Sequence, residues 1–558
     1  MKKNKFLFSI FFVCTVCNFL AAQASESHDE KLDEISLPEV STVVSGGVPK
    51  VGKSAVPDFT QILPSEAEGR ADSIVPQFPK LSVSEKDSTD ADAVKNAVET
   101  KDVYVEGLAG GGFPGFYIGD FSIYRQSGMN PFKISFSHKS SNGFAGNSLS
   151  DGFFQKNTEI GAQKTFSDKT KKLDLSANYS SFNDGLQTKV DSISDVSKEE
   201  LDVKVAYSHD FKNNLHLIAD FGGDWYNRFA CIVNKNENQI EPFEKYVSVL
   251  HLSPEVDFYW ANNNLKLGLA AAGGFQVDAN DSVGGEKAIS RGSASLDFLW
   301  TYNFFKLNAN LGVVFGNQIG YMPVIVPFSL GMNLSFPTSL SSRKISLEFL
   351  GGCRSEESLV SILEKKYRFS VFSELPAETS DWFASVNFML PIKDIFTLNF
   401  NSDFLKTAFG NGNWSPNYND ESTLRFGQYV CQNEETAQFN TKLDFSAKFK
   451  IVNISASWKS FWIDVPACET RNSIAASINV QSESARWGAN GSFAMALASG
   501  EDFTPDIELS AFVRLTSAVR LAVSATDIVK LLSGKERIYA GKYIEQSGSV
   551  CVCAKFFF

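Results

Sequence analysis

Val550-Cys551-Val552-Cys553-Ala554-Lys555-Phe556-Phe557-Phe558 ends the chain, and the alternation in this stretch decides the fold. Successive side chains of an extended strand point to opposite faces. Val550, Val552, Ala554, Phe556 and Phe558 therefore share one face, and Ser549, Cys551, Cys553, Lys555 and Phe557 share the other. On the edge of a soluble sheet, three terminal phenylalanines would be an aggregation hazard. In a bilayer the apolar row meets lipid instead, and the backbone must pair on both sides because no water is there to satisfy it. The stretch reads as the closing strand of a membrane barrel.

Working back from it, the same period of two runs from Asp102 to the end. In Lys442-Leu443-Asp444-Phe445-Ser446-Ala447-Lys448-Phe449-Lys450 one face is Leu, Phe, Ala, Phe and the other is charged or hydroxylated. Leu173–Ser180, Leu201–Ser208, Phe396–Phe400, Val452–Lys459 and Asp506–Leu515 repeat the pattern. Aromatic groups mark strand ends at Phe258-Tyr259-Trp260, Leu299-Trp300-Thr301-Tyr302 and Trp458, as interfacial girdles do. Linkers alternate between tight ones (Ala261–Asn264, Tyr302-Asn303) and long polar ones at 183–200, 228–245, 354–366 and 406–438. The fold class is all-β: a transmembrane antiparallel β-barrel over 102–558 with about 22 strands, in a range of roughly 18 to 24, an even number being expected. Side chains of the strands alone cannot fill so wide a barrel, so it holds water, inward loops or a plug.

The remainder of the 558 residues is consistent with export. Three lysines (Lys2, Lys3, Lys5) precede an apolar core, Phe6–Leu20, and Ala22-Gln23-Ala24 forms a small-x-small site with cleavage expected between Ala24 and Ser25. Residues 1–24 thus read as a signal peptide. Residues 25–101, rich in Ser, Asp, Glu, Val and Pro, read as a mostly irregular periplasmic or luminal arm. The mean hydropathy of -0.12 excludes a helical membrane bundle but suits strands that alternate. A formal charge of -12 excludes a nucleic-acid partner, which needs a basic footprint. Six cysteines follow the leader: Cys551 and Cys553 point the same way, and Cys431 and Cys468 are candidates to bridge two loops.

No catalytic or metal motif emerges, so neither enzyme activity nor a cofactor is expected. The five histidines show no H-E-x-x-H spacing. Gly110-Gly111-Gly112-Phe113-Pro114-Gly115 matches a dinucleotide fingerprint but leads into a strand rather than a helix, so it reads as a hairpin turn. Asp278–Ser282 begins like a calcium loop but has Val283 where that loop needs Gly. The chemistry lies on the polar faces, where Lys133, Asp174, Lys204, Lys442, Asp444, Lys448, Glu508 and Arg514 are candidate lumen-lining residues. Mixed signs suit a water-filled channel or a plug docked by salt bridges.

The terminal row Val550, Val552, Ala554, Phe556 and Phe558 resembles the assembly signal of bacterial outer-membrane proteins, which implies the barrel-assembly machinery and outer-membrane lipids as partners. The whole layout resembles TonB-dependent receptors. Val40-Ser41-Thr42-Val43-Val44, within Glu39–Gly46, is similar to their energy-coupling box, and Gly107–Arg125 to their first barrel hairpin. The arm is shorter than that family's folded plug, so the resemblance implies a plugless or plug-poor relative. What it implies is an outer-membrane channel or receptor-like transport protein for small solutes, served by a periplasmic energy-coupling or accessory protein. The alternative is a non-transporting barrel that binds a periplasmic or extracellular partner through its arm or long loops.

Overall fold

The computed structural model describes residues 103–558, apart from 126–129, 191–192, 233–245, 281–285, 318–322, 340, 426, 468, 498–503, 535–537 and 546–547. The expected leader, cleavage site, arm and Val40–Val44 motif lie outside the described residues, as does Cys468. Twenty-two antiparallel strands form one closed barrel. Each strand pairs with its successor, and a two-residue strand, Val324–Ile325, adds a short pairing beside Phe305–Gly316. Closure is made where expected. The last strand, Ser549–Phe557, pairs with the first, Tyr104–Phe113, from Glu106 opposite Phe557 to Phe113 opposite Val550.

An even strand number puts both ends of the described chain on the same rim. That rim carries the tight turns, including 211–214, 262–264, 303–304 and 393–395. Asn213, Asn214, Asn303, Lys393 and Asp394 take positive φ there, the conformation two-residue hairpin turns require and asparagine and aspartate tolerate best. The opposite rim carries the long connections 357–378, 408–436 and 527–548. Short turns face the periplasm in bacterial barrels, so the long connections form the outer rim.

The outward rows are apolar and open to the surroundings: Ile134, Val203, Trp225, Leu269, Leu509 and Val552 are all exposed. So continuous an apolar belt is buried only by lipid. Among the described residues no helix is long and apolar enough to cross a membrane. The strands make the crossing.

Two expectations need correction. The stretch 183–200 is not a long loop, because strands Lys171–Gly185 and Ile193–Asp210 enter it from both sides. Likewise Leu215–Ile232 carries strand structure through Arg228. The inward residues at these strand tops are Asp184, Lys198 and Arg228, all buried. Their charges serve a folded partner rather than water, and charge at every second position made strand look like polar loop. The glycine-rich segment is a hairpin as expected. Its turn lies at Pro114-Gly115, however, and Gly110–Gly112 belong to the first strand.

Candidate functional site

The inward rows build the lumen wall. All eight candidate residues fall on the face opposite the exposed apolar row. Lys133 neighbours Ile134, Lys204 neighbours Val203, Lys442 and Asp444 flank Leu443, Lys448 neighbours Phe449, and Glu508 and Arg514 neighbour Leu509 and Val513. Asp174 lies in register with Thr165, whose neighbour Phe166 is exposed on the outside. The eight do not converge on one site; they are spread around the wall. Lys442 and Asp444 pair at 3.1 Å. Asp174 binds Lys172 at 2.7 Å and accepts from the Thr165 hydroxyl at 2.5 Å. Lys204 pairs with Asp220 at 3.0 Å. Glu508 accepts from Ser492 at 3.2 Å, at the edge of a recess of about 360 Å³ lined by small residues such as Ser455, Ser457, Ala475 and Ser477.

Towards the outer rim the lumen wall is no longer bare. The connection 357–378 turns inward and docks on the inner face of successive strands through a series of ion pairs. Its short helix, Val360–Lys366, brings Glu364 to the phenol of Tyr226 at 2.5 Å and to Arg228 at 3.3 Å. Lys198 donates to the carbonyl of Glu364 at 2.5 Å. Lys365 pairs with Glu200 and donates to Ser180 at 3.2 Å. The ring of His251 stands between Asp224 at 2.8 Å and Glu357 at 3.3 Å. Arg368 reaches Asp184 at 2.7 Å, and Arg291 reaches Glu378 at 2.8 Å.

An apolar core accompanies these pairs. Val360, Tyr367, Val371, Phe372, Leu375, Trp414 and Cys431 come from the connections and pack on Tyr226, Val247, Val249 and Ile289 of the strands. Backbone pairing links the connections to one another. Ser370–Val371 runs parallel to Gln428–Glu434, which also pairs antiparallel with Asn413–Pro416. A second cluster joins Leu186, Ile193 and Val196 of one wall to Phe369, Tyr429 and Tyr543. Phe369 and Tyr543 stack at 3.9 Å. The 408–436 connection arises between strands Phe396–Thr407 and Ala437–Lys448, nearly half the circumference from Ile193. The three connections therefore meet across the mouth as a folded cap.

Burial in that core pushes the Cys431 thiol up to about 12, and it also raises the carboxyl of Glu378 against the opposing pull of Arg291. The residues that join cap to wall, Lys198, Arg228, His251 and Arg291 on the strands and Glu364 and Glu378 on the connection, were not singled out from sequence. A usable signal was present in part: charged inward positions continue up the strands past the level where the outward row turns polar, as at Ser197 and Glu199 above Leu201.

The sequence matches no family model, and it matches no curated protein. The structure does have relatives. The FrpB iron transporter from Neisseria meningitidis, F5-1 variant, superposes with a TM-score of 0.61 at 9% identity, covering 82% of each chain. The copper transporter OprC gives 0.59 at 10% identity over 82% of this chain and 80% of its own. The siderophore receptor PirA from Acinetobacter baumannii gives 0.59 at 8% identity, covering 83% and 81%. At such identities the likeness is one of fold. The chain is a bacterial outer-membrane β-barrel of 22 strands that is similar in fold to these proteins, with the outer mouth covered by its own connections.

Proposed function

We propose that this chain is an outer-membrane transport receptor whose lumen passes a small solute when the loop cap shifts. The observation that carries the reading is the cap itself. A barrel this wide is water-filled unless something occupies it, and here a cover folded from the barrel's own connections is held to the wall by a series of ion pairs as well as by an apolar core. Ion pairs of this kind can be exchanged for contacts with a ligand. The fold likeness to proteins described as an iron transporter, a copper transporter and a siderophore receptor supports a transport role and leaves the substrate open. In this reading the lumen charges from Lys133 to Arg514 solvate the path. The segment Val40–Val44 recruits a periplasmic energy-coupling protein.

Planar-bilayer conductance tests it, using the full chain, a chain lacking residues 25–101, and a cap-weakened variant of each. Open steps in every form indicate a porin. Steps only after removal of 25–101 indicate that the arm occupies the lumen, and steps only in the cap variants place the gate in the cap. Silence in all four sinks transport and leaves the interaction reading. Deleting Val40–Val44 should abolish energised uptake while leaving conductance unchanged, and unchanged uptake would remove the coupling partner from the scheme.

A further inference from the structure

Cys551 and Cys553 lie on the closing strand with their sulfurs 3.3 Å apart. Their neighbours Val550 and Val552 are exposed on the outside, so both thiols are on the inward face. Cys551 is fully buried and Cys553 partly so, which leaves Cys553 as the approach from the lumen.

What surrounds them is unusually small. On one side Cys551 lies in register with Gly112 and Cys553 with Gly110. On the other side their partners are Ser524 and Ala522. No cross-strand neighbour is larger than serine. Gly110 matters most, because a Cβ there would come within 2.6 Å of the Cys553 sulfur. That sulfur occupies the space a side chain at 110 would take, and this lets it converge on its partner.

The spacing decides between two uses of a thiol pair. Residues two apart on a strand have Cα atoms roughly 6.6 Å apart, since the rise is about 3.3 Å per residue. That is at the upper edge of what a disulfide tolerates. A metal ion is less demanding. Bonded at about 2.3 Å to each thiolate, as zinc is, it requires only that the sulfurs lie within about 4.6 Å of each other. The observed 3.3 Å meets that condition with no movement of the backbone.

We propose that Cys551 and Cys553 form a luminal site for a soft, thiophilic metal ion, the class that prefers thiolate ligands. Binding releases the two thiol protons to solvent, forms two metal–sulfur bonds, and leaves the remaining coordination positions to water in the lumen. The site stands on this geometry whether or not a solute crosses the barrel.

The test uses the full-length barrel folded in detergent, with folding of every variant checked by heat-shifted migration on a gel. Cu(I), supplied anaerobically and challenged with a competing chelator, is the probe. The expected result is one ion retained per chain, with two sulfur neighbours by X-ray absorption. Cys551→Ser and Cys553→Ser should each abolish retention, while Cys353→Ser leaves it intact. Gly110→Ala keeps both thiols but sets a Cβ 2.6 Å from the Cys553 sulfur and 2.8 Å from the backbone oxygen of Val552; the fraction that passes the folding check should retain the ion about tenfold more weakly, the scale on which disturbing the surroundings of metal ligands acts. Three outcomes would overturn the proposal: no retention by the parent chain, undiminished retention by either serine variant, or a Cys551–Cys553 disulfide in protein isolated without reductant.

Discussion

Glu364, on the inward-folded connection, and Arg228, on the inner face of a barrel strand, meet at 3.3 Å with each side chain only 1% exposed. Ions this far from water are costly unless paired, so each depends on the other. Removing one partner of a buried pair typically costs about 3–5 kcal/mol, because the remaining charge is stranded. Glu364→Ala also takes the acceptor from the Tyr226 phenol. The expected outcome is a cap released from its wall with the barrel intact. Conductance steps should become more frequent, while the heat-shifted gel migration of the folded barrel stays unchanged. Loss of that migration would mean that the pair supports the barrel itself.

Cys431 supplies an independent reporter of the same event. Its side chain lies in the cap core and its thiol is pushed up to about 12 by burial, so little thiolate is available at neutral pH. In the closed barrel it should resist alkylation while the exposed Cys231 reacts at once. In Glu364→Ala it should become reactive on the timescale of cap opening. If Cys431 in the parent chain alkylates as fast as Cys231, the cap is not closed in solution.

The cap also marks where the sequence stops being readable. The barrel was legible because a period of two is a local signal, repeated in every strand and independent of what lies across the lumen. The lumen wall was legible for the same reason, since Lys442 and Asp444 declare their face by alternating with Leu443 and Phe445. The cap was not. Lys198 and Glu364 are 166 residues apart, and nothing near either one announces the other. The helix that carries Glu364 spans seven residues, Val360–Lys366, too few to establish a helical period. The charges at Lys198 and Arg228 even argued the wrong way, because buried ionic contacts and solvated loop share a composition.

Asp394 gives a pH dependence at the other rim. Its carboxylate accepts from the Ser341 hydroxyl and from the hydroxyl and backbone N–H of Ser342, the latter two at 2.8 Å, which ties two adjacent periplasmic turns together. Hydrogen bonds from Ser341, then Ser342, hold its pKa below the usual carboxylate range. A depressed carboxylate stabilises the fold above its unfolded pKa of about 3.9, and that contribution is lost as pH falls through the lower folded value. Measured as protection relative to its intrinsic rate at each pH, the Ser342 amide should therefore exchange slowly at neutral pH and lose that protection only in strong acid. In Asp394→Ala it should be fast throughout. Protection that is already lost near pH 5 in the parent chain would contradict the assignment.

The seam between the first and last strands has no room for a single methyl group at Gly112. A Cβ at Gly112 would overlap the backbone oxygen of Val550 and stand 2.8 Å from the Cα of Cys551. Backbone cannot rotate away as a flexible side chain can, so Gly112→Ala must shift the register or part the strands. The seam holds the chain end as well: Phe558 donates its N–H to Val105 at 2.9 Å and accepts from Val105 at 3.1 Å. Gly119→Ala is the matched control, because its Cβ would meet nothing nearer than the Leu108 oxygen at 4.0 Å. Both substitutions remove the same conformational freedom from the unfolded chain, so their difference isolates the seam. Refolding into detergent followed by unheated electrophoresis should give a clearly reduced folded fraction for Gly112→Ala and a parent-like one for Gly119→Ala. Equal folded fractions would show that the last strand closes the barrel in a register other than Gly112 opposite Cys551.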